Sequence, residues 1–195
     1  MSAFLIFLTL DLHQQDALTQ RRIIMNTKPA LLKALFTGVI LTSSAIASAQ
    51  TPALKVAVVK GVLGSQNIVA GDIETGIKRL SRQNSTETAF DKAMGLCVAY
   101  LKSDNTIKSE SACTAAVEAS KLIQSESSNA LYLKSLSYSN RAVAKYLNDD
   151  IDGAVSDLTL AKSLSVNNVT TGNLAFIQSV NAKVEIDEYT ETFTD

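Results

Sequence analysis

The sequence predicts an all-α fold, a short array of about three helix pairs with one further helix capping its C-terminal end. Three observations carry this. The stretch 138–166, Y-S-N-R-A-V-A-K-Y-L-N-D-D-I-D-G-A-V-S-D-L-T-L-A-K-S-L-S-V, reads as two amphipathic helices joined by a tight acidic turn. Part of it has an echo upstream. G-D-I-E-T-G-I-K-R-L at 71–80 repeats the order acid, Ile, acid, small, β-branched, Leu found in D-D-I-D-G-A-V-S-D-L at 149–158, and such self-similarity is the signature of stacked repeats. Composition agrees: Ala, Ser, Leu and Val dominate, aromatics make up 6% of the chain and Trp is absent, which suits closely packed helices more than a sheet.

Not all 195 residues are expected in the mature protein. Residues 25–49 read as a secretory signal peptide. Lys28 and Lys33 give a positive start, Ala34 to Ala45 is a short apolar run, and Ala47-Ser48-Ala49 offers small residues at the positions a signal peptidase inspects. The expected cut lies between Ala49 and Gln50. A membrane anchor is the alternative, but the run is short and small residues follow it instead of a basic stop-transfer cluster. No Cys near the cut offers a lipid attachment site. Residues 1–24 sit awkwardly before such a signal and read as an extension from a start assigned too early, with Met25 the true start. Arg21-Arg22 followed by Ile23-Ile24 is a rival, twin-arginine reading.

The remaining 146 residues suit one domain with a core, assigned here to 50–186, followed by an acidic tail at 187–195 with no reason to fold. From Gln50 onward there are 14 Lys and Arg against 17 Asp and Glu, a net charge of −3, with no basic run. Nucleic-acid or anionic-membrane binding therefore has no electrostatic footprint.

The pattern within 138–166 is specific enough to compare with a known repeat. Tyr138, Arg141-Ala142 and Lys145-Tyr146 fill the large, Leu-Gly and Tyr places of a first helix; Ala154, Leu158 and Ala161 fill the Ala, large and Ala places of a second; Val166 stands where a Pro would close the unit. The stretch resembles a tetratricopeptide (TPR) repeat, which implies a right-handed TPR-like helical array. The resemblance covers about 115 residues, Ala53 to Val166, and is similar to small exported TPR proteins of Gram-negative bacteria.

Taken in order, the segment from Ala53 to Ala70 is ambiguous by propensity, since Val and Gly lower its helix tendency. The repeat register makes it a first helix: Leu63-Gly64 match the Leu-Gly pair, Gly71-Asp72-Ile73 the turn, and Gly76 and Leu80 the second helix. A polar linker at 83–87 supplies Ser85 or Thr86 as the next helix cap. A second repeat runs from Ala89 to Ala119, with Leu96-Cys97 and Tyr100 in one helix, a polar turn from Ser103 to Thr106, and Ser109, Cys113 and Ala116 in the other. After a linker at 125–129 comes a long helix from about Ala130 to Leu147, then its partner. A loop from Ser165 to Gly172 leads to the capping helix, where Leu174, Ile177, Val180 and Val184 share one face.

Cys97 and Cys113 are the only cysteines. In the repeat register they sit midway along paired helices and point into the seam between them, so an exported chain is expected to join them in a disulfide; two buried free thiols are the alternative. No enzyme is expected. The only His is His13, outside the expected mature chain, so His-based triads and metal sites have no base or ligand. No dinucleotide or phosphate-binding Gly motif occurs, and no cofactor is expected. Asp149, Asp150 and Asp152 occupy the repeat turn, where capping is the plain role; a calcium loop would need a Gly and a closing Glu that are missing.

The TPR resemblance implies that the first helices line a concave groove for a protein or peptide partner. By register, the groove residues would be Met94, Val98, Leu101 and Lys102 in repeat two and Ser139, Asn140, Val143 and Tyr146 in repeat three. Asn140 takes the place of an Asn that TPR grooves use to bond a bound peptide's backbone. Leu101, Val143 and Tyr146 also fit simple packing between repeats. Two functions are then in competition: a periplasmic interaction module holding a partner in the groove, and a structural or stress-related helical protein whose final helix closes the groove.

Overall fold

Short polar side chains set the starts of most helices by accepting hydrogen bonds from backbone N–H groups that have no partner within the helix. In the computed structural model, which describes residues 5–9, 53–82, 88–103 and 105–191, two strands and seven helices follow one another. They are β1 (Leu5–Thr9), β2 (Lys55–Val59), α1 (Ser65–Val69), α2 (Ile73–Leu80), α3 (Ala89–Lys102), α4 (Thr106–Lys121), α5 (Ser128–Leu147), α6 (Ile151–Leu164) and α7 (Asn168–Glu191). The two acidic turns that echo each other in sequence do the same work. Asp72 accepts from the Thr75 N–H at 3.2 Å to start α2, and Asp150 accepts from the Gly153 N–H at 2.9 Å to start α6. Asn105 and Ser127 cap α4 and α5 in the same way.

Successive helices pack on each other, giving a helical bundle with the pairs α1/α2, α3/α4 and α5/α6 and with α7 against α5 and α6. Its core combines large and small side chains. Leu80, Met94, Leu101, Leu136, Leu158 and Ile177 are fully buried, and so are Ala99, Ala116, Ala142, Ala154 and Ala161, which let helix axes approach closely. Gly95 shows the limit of this: a Cβ there would lie 2.6 Å from Leu80 Cδ2, so a larger residue would force the buried Leu80 side chain at the end of α2 to shift.

The α3/α4 seam holds the disulfide between Cys97 and Cys113, with their Cα atoms 4.5 Å apart and both residues fully buried. The α5/α6 seam holds a buried ion pair instead. Arg141 donates to Asp157 through Nε at 2.7 Å and Nη2 at 2.6 Å, while Lys145 Nζ lies 3.3 Å from the same carboxylate. The Asp157 hydrogen bonds raise the Arg141 pKa above its usual value, against the opposing effect of burial. That guanidinium, hydrogen-bonded through its edge, lies over the ring of Tyr138, with Cζ 5.3 Å from the ring centroid. Asn148, at the end of α5, ties the two pairs together by donating to Thr106 O and Glu110 Oε2 on α4.

The largest correction to the sequence reading falls on residues 53–70. The register makes this a first helix, but it folds as strand β2, a turn, and the five-residue helix α1. Val56, Val58 and Val59 favour extended backbone. Gly61 and Gly64 then adopt φ of 84° and 91°, left-handed values that no helix interior allows. Gly64 still matters for packing: a Cβ there would meet Gly76 O at 2.5 Å.

Two boundaries also move. The cap of α3 is Thr88, not Ser85 or Thr86, which lie outside the described residues; Thr88 and Asp91 form a reciprocal capping box. The loop before the last helix is shorter than 165–172, because Asn167 accepts from the N–H groups of Val169 and Thr170 and starts α7 at Asn168. That helix continues through Glu191, past residue 186. The expected signal peptide at 25–49 lies outside the described residues.

Candidate functional site: a strand held against the helices

The first helices of successive pairs, α3 and α5, and the capping helix α7 pack side by side, and β2 lies against all three. This is the face on which the sequence places a groove. Met94 and Val98 come from α3 and Ser139, Asn140, Val143 and Tyr146 from α5; all are buried. Leu101 is buried too, while Lys102, at the end of α3, is half-buried. Tyr146 meets Phe176 of α7 edge to face, with ring centroids 6.0 Å apart. Burial, aided by the Asp149 charge, raises the Tyr146 hydroxyl pKa.

Asn140 is fully buried and uses both ends of its amide on one residue of β2. Its Oδ1 accepts from the Ala57 N–H at 2.9 Å and its Nδ2 donates to Ala57 O at 2.9 Å. Asn173 of α7 repeats the arrangement two residues earlier, accepting from the Lys55 N–H and donating to Lys55 O, each at 2.8 Å. Its Nδ2 also donates to Ser139 Oγ at 3.1 Å. An amide side chain presents a donor and an acceptor side by side, as one residue of a neighbouring strand does. The two asparagines therefore stand in for a strand along one edge of β2. They satisfy backbone groups that would otherwise be orphaned in the interior, and they do so without reading side chains.

That face is not open, and the last helix does not close it. The chain's own extended segment occupies it, and α7 forms one wall. The apolar spacing of α7 does not reveal Asn173. A signal for it exists: S-N-R-A-V at 139–143 and G-N-L-A-F at 172–176 place Asn, Ala and a large apolar residue at the same offsets, 33 positions apart.

Two surface clefts are lined by other residues, one by Ile107, Glu110, Ser111, Thr114 and Asn148, the other by residues that include Phe90, Leu122, Ile123 and Leu133. Among the described residues, no three His, Cys, Asp or Glu side chains gather to hold a metal ion. Asp150 acts as a cap, and Asp149 takes the left-handed turn position with φ 63°. No helix of the described residues is long and apolar enough to cross a membrane. No protein-family profile, curated protein or solved structure matches the chain.

Proposed function

We propose that this chain is a non-catalytic, exported protein-interaction module of TPR-like design, which engages its partner on the side where β2 lies against α3, α5 and α7. The observation that carries the reading is the paired asparagine clamp. Asn140 and Asn173 each hold both backbone groups of one residue of an extended segment, which is the chemistry a peptide groove needs and a simple helix interface does not. Export to the periplasm is supported by the signal-like segment at 25–49, and the Cys97–Cys113 disulfide suits an oxidising compartment. The competing reading, a structural helical protein without a groove ligand, draws on the fact that the groove is already occupied by β2.

Photo-crosslinking in the periplasm from a benzoylphenylalanine placed at Lys102, on the rim of this face, separates the two. Discrete adducts with one or a few proteins are expected. A complete absence of adducts, with the variant folded and exported, supports the structural reading.

A further inference from the structure

We propose that in the exported protein the outer edge of β2 is a docking strand, to which an extended apolar segment of a partner protein adds in antiparallel register. The proposal rests on the export and groove readings above, and it names the part of the site that a partner touches.

The inner edge of β2 is used up. Lys55 and Ala57 spend their N–H and C=O groups on Asn173 and Asn140. Successive residues of a strand direct these groups to opposite edges, so Val56 and Val58 direct theirs outward. On that outer side lies β1, antiparallel, with Ile6 opposite Val58 and Leu8 opposite Val56. Those two pairs are therefore the ones that exchange both backbone hydrogen bonds. The edge is a working template for an added strand, and the segment it takes, L-I-F-L-T, is apolar.

The exported chain does not carry β1. Whether synthesis starts at Met1 or at Met25, a cut between Ala49 and Gln50 leaves a chain that lacks residues 5–9 and keeps β2, which begins at Lys55. The exported chain then presents Val56 and Val58 along a strand whose position is fixed by two buried amides. A rigid, unpaired strand edge is what strand addition requires: main-chain hydrogen bonds supply the affinity, and holding the edge in place lowers the entropy lost on binding. The five-residue length of β2 sets the matching segment of the partner at about five residues, on the one-to-one pairing of strands.

The test uses the full 195-residue chain expressed in a bacterium with an outer membrane and purified from the periplasm, with its intact mass measured. The probe is a labelled peptide of residues 2–11 carrying a Lys-Lys solubility tail, with binding followed by fluorescence anisotropy. Two modified peptides accompany it. One is N-methylated at Ile6 and Leu8, whose N–H groups face β2; the other is N-methylated at Phe7, whose N–H faces away. The expected results are a mass that starts at Gln50, saturable binding of the unmodified peptide, similar binding of the Phe7-methylated peptide, and at least roughly tenfold weaker binding of the doubly methylated one, the effect of losing two hydrogen bonds. The proposal is overturned by a mass that retains residues 5–9, by no saturable binding, by equal loss for both modified peptides, or by a dimer that the peptide cannot open, which would assign the edge to a second copy. Lys102 adducts that persist alongside any of these results leave the interaction-module reading standing and remove only the strand-addition mode.

Discussion

Replacing Asn140 by Ala removes the clamp on Ala57 without touching any exposed surface. Asn140 and Ala57 are both fully buried, and the two 2.9 Å hydrogen bonds between them are lost together. The cost exceeds that of two ordinary hydrogen bonds, because the N–H and C=O of Ala57 stay buried without partners. At about 1–3 kcal/mol for each orphaned group, the expected loss is roughly 2–6 kcal/mol, a large fraction of the ~5–15 kcal/mol that holds a typical domain together. Asn140→Leu separates this from cavity formation: Leu has the same branched arrangement of side-chain heavy atoms as Asn with bulkier ends, so no empty space is left while both orphaned groups remain. Urea unfolding of the oxidised protein, followed by far-ultraviolet circular dichroism, reads both variants as shifts of the midpoint at constant slope. Both are expected to lower the midpoint substantially. An Asn140→Leu protein as stable as the wild type would refute the reasoning, since it would mean that the backbone of β2 does not depend on the amide.

Three further outcomes can be checked with the same preparation. Reducing the Cys97–Cys113 bridge, or replacing both cysteines by Ala, is expected to lower stability by about 3 kcal/mol, the chain-entropy value for a loop of some 15 residues, read from urea midpoints with and without reductant. Asp157→Ala strands the Arg141 guanidinium in a largely buried site and is expected to cost about 3–5 kcal/mol; a paired Arg141→Met, Asp157→Leu change should recover most of that loss in a double-mutant cycle. Asp72, the cap of α2, has its pKa lowered, chiefly by its hydrogen bonds with Thr75. A folded-state pKa below the ordinary 3.8 means that its contribution is present above that pH and lost as pH falls through the lowered value; the Thr75 amide resonance should titrate there, and Asp72→Asn should abolish the titration.

The helix pairs were legible because their information is local. Apolar residues three and four apart mark buried faces, Asp72 and Asp150 mark helix starts in the same register, and two cysteines in facing helices mark a bridge. Residues 53–59 were not legible for the opposite reason. Val, Ala and Gly leave the segment undecided, and what decides it lies 83 and 118 positions away, in Asn140 and Asn173. The repeat pattern then misled, because Leu63-Gly64 matches a helical pair in type while Gly64 serves a left-handed turn. On α7 a polar residue, Asn173, sits at the centre of the buried face between Val169, Thr170, Phe176 and Ile177, where apolar spacing alone does not find it.

Amide hydrogen exchange along β2 of the exported protein tests the central claim, that paired asparagines hold this strand by one edge. The expected pattern alternates: the Lys55 and Ala57 N–H groups exchange as slowly as the core of α5, while those of Val56 and Val58 exchange fast until a strand-forming peptide is added. Equal, fast exchange at all four positions would contradict it.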